Sequence, residues 1–330
     1  MSDKILTATA PGKLILLGEY AVLHGAPALV MAVDRFARVT LFSPEEATFR
    51  VSAPTLGISR IPFEITPSGG VNYHSRLSRE DRERLRFFTT ALETVAEKAN
   101  EAGVAVPPAH IVLDTEEFFH GQTKLGLGSS AALTVALIGA LLNHAGVTPP
   151  SDREEEFVLR LAREIHRRAQ GQLGSGIDIA AGVYGGVLRY RLSSAGELPE
   201  VRRLSFPEGL NVRAVWSGQA ASTTEMVAQV EQFRRREPSA FASLMEAMTA
   251  VAQRGCEVFA QNQVGEFLKW VEEYRQLLDR LGQASGAPIV SAVHRRLTQQ
   301  VRSRGATYKP SGAGGGDFGL IFADSPERMQ

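Results

Sequence analysis

The stretch KLGLGSSAAL, Lys124 to Leu133, sets two glycines and two serines directly ahead of an apolar run spaced like a helix. The first turn of a helix leaves backbone N–H groups unpaired, and the aligned peptide dipoles favour negative charge there. Gly126 and Gly128 permit close backbone approach and positive φ, while Ser129 and Ser130 add hydroxyls that can bond phosphate oxygens or a magnesium shell. That chemistry suits a nucleotide triphosphate; the competing reading is that the same residues merely cap a core helix. Neither a Walker-type phosphate loop nor a dinucleotide fingerprint is present.

Three further stretches speak the same chemical language. APGKLILLGEYAVLHG places Lys13 at a Pro-Gly turn, with Glu19 at the end of an apolar strand. A lysine there is either a solvated surface charge or, facing the glycine-serine helix, a point charge against phosphate oxygens. AQGQLGSGIDIAAGVYGG sets Asp178 among small and apolar residues, where an unpaired carboxylate is unfavourable. It is read either as a helix cap or as a partner of Lys13 or of a metal-bound substrate. SGAGGGDFG, Ser311 to Gly319, has five glycines in nine residues just before a strand, which predicts a tight loop with its amides facing a ligand.

Elements of both kinds must position these residues. Lys4 to Gly18 reads as a strand, a Pro-Gly turn and a second strand, and PALVMAVDRFARVTLFS is again β-rich. Ala131 to Ala145 reads as a buried helix and Asp152 to Gln170 as a charged helix stopping near Gly171. GVYGGVLRYRL and NVRAVWSG have strand character, which includes Tyr184 and Trp216. Ser222 to about Leu281 is mostly helical, with Gly255 and Gly265 as interruptions. Without a regular βαβ repeat the class is α+β, with a domain boundary expected near residue 205.

The 330 residues hold 36 Lys+Arg and 36 Asp+Glu, so no global charge draws the chain to nucleic acid or an anionic membrane. The single cysteine, Cys256, excludes an internal disulfide and points to a reducing, cytoplasmic setting. No segment reads as a signal peptide or a membrane span. The seven histidines show no metal-ligand spacing, and His166 reads as a polar-face or satisfied residue of its helix.

Taken in order, PGKLILLGEYAVLHG, KLGLGSSAAL and SGAGGGDFG resemble the three motifs of the GHMP kinases, and the similarity spans nearly the whole chain. Within that family the chain looks like a member of the mevalonate-pathway branch. AVDRFARV, HRRAQGQLGSGIDIAAGVYGG, VWSGQAASTTEMV and KPSGAGGGDFG resemble phosphomevalonate kinases, as does Asp317, where mevalonate kinases typically carry a glycine or small residue. Mevalonate kinases also have a magnesium-binding glutamate eleven residues before the middle-motif aspartate, and Arg167 stands there.

The resemblance implies an N-terminal ribosomal-S5-like lobe, taken as residues 1–205, and a C-terminal ferredoxin-like lobe, 206–330. It implies ATP with magnesium and a small acceptor, with monomer and homodimer both open. Lys13 and Asp178 become the expected catalytic residues. Lys124, Gly126, Leu127, Gly128, Ser129, Ser130 and Ala131 are the expected ATP contacts, Ser130 also at the magnesium. Ser175, Ser222, Thr223, Gly312, Ala313, Gly314 and Gly315 are the expected acceptor contacts, with His166 a minor one. The implied activity is ATP-dependent phosphorylation of phosphomevalonate. Mevalonate phosphorylation, a decarboxylating relative and a non-catalytic ligand sensor are the alternatives.

Overall fold

The computed structural model describes residues 3–44, 46–74, 77–171, 174–194 and 197–329. The chain forms two compact units: the first comprises Met1–Gly12, Val33–Phe119 and Leu127–Gly185, the second Lys13–Ala32, His120–Gly126 and Gly186–Gln330. Strands and helices are mixed in both, the α+β class that the sequence predicts.

In the first unit, β1 (Lys4–Leu17) and β2 (Pro27–Phe42) contribute their 4–12 and 33–42 portions. β2 continues into β6 (His110–Asp114), β3 (Phe49–Ala53), β4 (Ile58–Ile65) and β5 (Val71–Tyr73), in that spatial order. All these pairings are antiparallel except β3 with β6. β1 runs straight through Pro11-Gly12, where a turn is expected from the sequence. Among the described residues its strand partner is β2, so the missing proline N–H breaks no second ladder there. Gly12 lies so close to Phe118 and the Leu127 carbonyl that a Cβ would come within 2.7 and 2.8 Å of them.

Two helices that the sequence reading passes over, α1 (Arg79–Arg84) and α2 (Arg86–Glu101), precede β6 in the chain. α2 buries Phe88, Leu92 and Val95, and Phe88 meets Phe63 of β4 edge to face at 5.6 Å. α3 (Ser129–Ala145), α4 (Glu154–Gln170) and α5 (Ile177–Tyr184) complete the helical layer, α3 packing on α2, α4 and α5. Tyr184 therefore closes a helix rather than lying in a strand.

A short hairpin of β7 (Phe119–His120) and β8 (Thr123–Lys124), in the second unit from His120 on, leads to Gly126. β9 (Val187–Arg191) pairs on one side with residues 27–31 of β2 and on the other with β10 (Glu200–Leu204). β11 (Asn211–Trp216), β12 (Thr307–Pro310) and β13 (Phe318–Ala323) make an antiparallel sheet with β13 central. Of the helices α6 (Thr223–Arg236), α7 (Pro238–Ala260), α8 (Val264–Ser285) and α9 (Ala292–Arg302), α8 and α9 pack against β12, and α6 and α7 pack on α8.

Gly255 does not interrupt α7; it admits Leu17, whose Cδ2 would lie 2.2 Å from a Cβ there. Gly265 is absorbed into the first turn of α8. The break between α7 and α8 falls at 261–263 instead, where Asn262 adopts φ 59°. Cys256 is buried on α7, and burial pushes its thiol up to about 12, well away from reactivity. Among the described residues no helix is long and apolar enough to cross a membrane.

Candidate active site

In the first unit the site is built on the start of α3. The helix begins at Ser129, so both serines lie in its first turn, two residues earlier than the apolar periodicity indicates. Gly128 occupies the N-cap in a left-handed conformation, φ 82°, and no side chain caps the helix. The first-turn amides therefore face outward from a backbone that only glycine enters without strain. Leu127, Ser129 and Ala131 are buried and hold this turn in the core, whereas Ser130 is half-buried.

α5 lies along α3, close enough that a Cβ on Gly182 would sit 3.3 Å from Val135. Gly176 is the N-cap of α5, so Asp178 is not the cap but stands within the first turn, half-buried, with the Ile179 N–H donating to its Oδ1 at 3.0 Å. The Ser175 hydroxyl accepts the Ile177 N–H at 3.4 Å at the same helix start.

His166 of α4 is buried between these two helix starts and rests against Phe87 at 4.8 Å. The Thr134 hydroxyl donates to the Ser130 carbonyl at 2.8 Å, so its oxygen accepts from His166 Nε2 at 3.3 Å. Burial lowers the His166 pKa, while the Asp178 charge and the Ser130 backbone oppose that fall. Of the two readings of His166 from the sequence, a polar-face or a satisfied residue, the structure shows the second, a buried histidine hydrogen-bonded to Thr134 and within the field of Asp178. Its neighbour Arg167 is exposed.

Among the described residues no group of three or more His, Cys, Asp or Glu side chains gathers to hold a metal ion. Magnesium needs none, because it keeps waters and relies on substrate phosphates with one or two protein oxygens. The Ser130 hydroxyl and the Asp178 carboxylate, one helix start each in the same unit, fit that donor set.

In the second unit, Lys13 of β1 donates from Nζ to the Gly126 carbonyl at 3.2 Å, across 113 positions of sequence. This lysine thus meets a backbone carbonyl at the turn that ends β8. Lys124 belongs to that strand, and Gly126 takes φ 72°.

The glycine-rich loop is tied to the first motif. The Ile15 N–H donates to the Ser311 hydroxyl at 2.9 Å, which itself donates to the Ile15 carbonyl at 2.9 Å. Tyr20 donates to the Ala313 carbonyl. Glu19 and Lys309, both almost wholly buried, form an ion pair just ahead of the loop, and Tyr274 donates to the Glu19 carbonyl at 2.6 Å. Burial pushes the Glu19 carboxyl up and the Lys309 ammonium down, and each is held charged by the other. The Gly312 N–H further favours the charged carboxylate.

Not every loop amide is left for a ligand. The Gly315 N–H donates to the Ile289 carbonyl at 2.9 Å. Gly312, Gly314 and Gly315 all have positive φ, and a Cβ on Gly314 would meet the Ile289 carbonyl at 2.3 Å. Ser222, an expected acceptor contact, is the N-cap of α6 and accepts the Glu225 N–H at 3.4 Å, with exposed Thr223 beside it.

The sequence reading missed the Glu19–Lys309 pair and the position of His294. His294 is fully buried, donates from Nε2 to the Gly316 carbonyl at 3.0 Å and accepts at Nδ1 from the Tyr308 hydroxyl at 2.7 Å. A lysine directly preceding a glycine loop is the one signal that could have flagged Lys309.

Residues 86–186 match the family model of the GHMP kinases N terminal domain. A phosphomevalonate kinase from a Streptomyces species is 28% identical over 346 residues, covering 98% of this chain and 91% of that protein. A mevalonate kinase from Methanothermobacter thermautotrophicus is 31% identical over 323 residues, covering 97% and 90%. Among solved structures, Streptococcus pneumoniae phosphomevalonate kinase in complex with phosphomevalonate and AMPPNP matches with a TM-score of 0.80 at 18% identity, covering 98% and 94%. That likeness is one of fold, and it agrees with the two-lobed α+β architecture expected from the motifs.

Proposed function

The chain belongs to the GHMP kinases, and we propose that it transfers the γ-phosphoryl group of ATP to phosphomevalonate, giving diphosphomevalonate and ADP. The observation that carries the reading is the Lys13 ammonium on the Gly126 carbonyl, with Lys124 on the strand that leads into the same turn. A phosphate acceptor, with a second pKa of about 6, is already largely anionic near neutrality, so it needs no base. Its difficulty is repulsion from the donor phosphates, which clustered cations relieve.

An acceptor phosphate oxygen forms the new bond to the γ-phosphorus as the bond to the β-phosphate bridging oxygen breaks, and ADP departs with that electron pair. In this reading the first-turn amides of α3 seat the triphosphate, and Lys13 offsets charge on the transferring group. Lys124 meets the phosphates from β8. Ser130 and Asp178 would hold magnesium, which supplies charge neutralisation when it arrives with ATP. Asp178 also orients the acceptor, and the loop from Gly312 to Gly316 brackets its phosphate. Ser175 and Thr223 are assigned to the acceptor in the same reading, and the Ser222 hydroxyl caps α6.

Mevalonate is the second reading, favoured by the 31% identity to a mevalonate kinase. Acceptor-dependent ADP release, measured with mevalonate, phosphomevalonate and diphosphomevalonate offered separately, decides between them. Turnover with phosphomevalonate at a kcat/KM at least about tenfold above mevalonate, some 1.4 kcal/mol of discrimination, is the expected result. Preference for mevalonate would overturn the acceptor assignment, and ADP release without any acceptor would overturn transfer itself.

A further inference from the structure

The turn at Gly126 holds a carboxylate that the transfer chemistry above does not use. Asp317 adopts a left-handed backbone, φ 51°, a region that Asp and Asn tolerate better than other residues with a Cβ. It is pinned on both sides: its N–H donates to the Gln219 carbonyl at 2.7 Å, and its own carbonyl accepts the Ser217 N–H at 2.8 Å. The side chain is fixed too, Oδ1 accepting the Ala221 N–H at 3.2 Å. Oδ2 is thereby aimed at Gly126, where a Cβ would lie only 2.2 Å from it.

The charged groups facing one another here are Asp317, Lys13 of β1 and Lys124 of β8. Burial pushes the Asp317 carboxyl up, opposed by the Ala221 N–H and by both lysines. Lys124 is exposed along its length, yet the protein around its ammonium lowers its pKa and Asp317 counters the fall. An asparagine would make the same bond to Ala221 and tolerate the same φ, so the turn itself has no need of a negative charge. The charge calls for a different explanation.

We propose that Asp317 is a positioning residue whose negative charge gathers the ammonium groups of Lys13 and Lys124 at the Gly126 turn, ready for phosphate oxygens. The proposal rests on the reading that these lysines serve a phosphorylated acceptor and ATP.

Asp317→Asn removes the charge while keeping the turn, and Asp317→Gly, which suits the backbone better still, guards against misfolding. The first measurement is the pH dependence of kcat/KM with ATP and phosphomevalonate over roughly pH 6 to 10. Losing the carboxylate disfavours the charged lysines, so the alkaline limb is expected to move to lower pH by about half a unit or more in both variants. The second reads the lysines directly: acetylation of Lys13 and Lys124 by trace acetic anhydride, followed by peptide mass spectrometry across the same range, with midpoints expected to fall likewise. An unchanged alkaline limb with unchanged midpoints overturns the proposal even if activity or stability drops, since a structural role alone predicts that pattern. If the wild type phosphorylates no acceptor, the function proposed above fails, and the acetylation midpoints still decide the role of Asp317.

Discussion

At the scale of single residues, Lys13 is on the proposed mechanism a point charge rather than a base, held where its Nζ reaches the Gly126 carbonyl at 3.2 Å. Lys13→Met keeps much of the aliphatic stem and deletes the charge. It is expected to lower kcat with ATP and phosphomevalonate by about two to three orders of magnitude, the scale of losing one preorganised electrostatic contact. Steady-state kinetics check this, and an unchanged kcat contradicts the role. Asp178→Asn should cost about a hundredfold, because it removes from the α5 start the carboxylate whose charge acts on His166. A loss below about fivefold would make Asp178 structural. In the sequence Asp178 stands out because its carboxylate lies among small and apolar residues, whereas Lys13 is marked only by the Pro-Gly pair before it and by the family motif. Asp317 was legible only as a family resemblance, since its electrostatic partners depend on the chain returning to Gly126 from near its C-terminus.

At the scale of elements, the glycine loop is a shaped object rather than a slack one, braced by Ser311, Tyr20, the Glu19–Lys309 pair and His294. Lys309→Met would strand a buried carboxylate and should destabilise the fold by about 3 to 5 kcal/mol, read from denaturant unfolding. His294 brings a pH dependence. It is neutral in the fold, donating to Gly316 and accepting from Tyr308. Burial lowers its pKa, the Gly316 carbonyl opposes that fall, and the Lys309 charge adds to it. A base with a depressed folded pKa takes up its proton first in the unfolded chain. Its stabilisation is therefore complete above about pH 6.5 and is lost as pH falls toward the folded value. Thermal unfolding from about pH 8 to 5 should fall less steeply for His294→Gln than for the wild type, and equal slopes would contradict this. The loop's existence was legible from five glycines before a strand, but its bracing was not, because the contacts come from β1, α8 and α9. Gly255 shows the opposite error: read as a breaker, it is the gap into which Leu17 fits.

At the scale of the whole molecule, the three motifs and their order were enough to place the chain in its family and its fold class. The division into compact units follows a path that a linear reading does not trace, each unit drawing on three separate segments. The helices of residues 79–101 carry no chemical motif that marks them in the sequence, although α2 supplies part of the wall that seats α3. The central claim is that the uncapped first turn of α3 receives the polyphosphate of ATP. Backbone amide NMR, with a non-hydrolysable ATP analogue and magnesium titrated in, tests it most directly. The account predicts that the amide resonances of Gly128, Ser129, Ser130 and Ala131, the ones left unpaired ahead of the Ala132 N–H that donates to the Gly128 carbonyl, are among the most strongly shifted, saturating with the binding isotherm. Saturating nucleotide binding that leaves those four amides unmoved would contradict it.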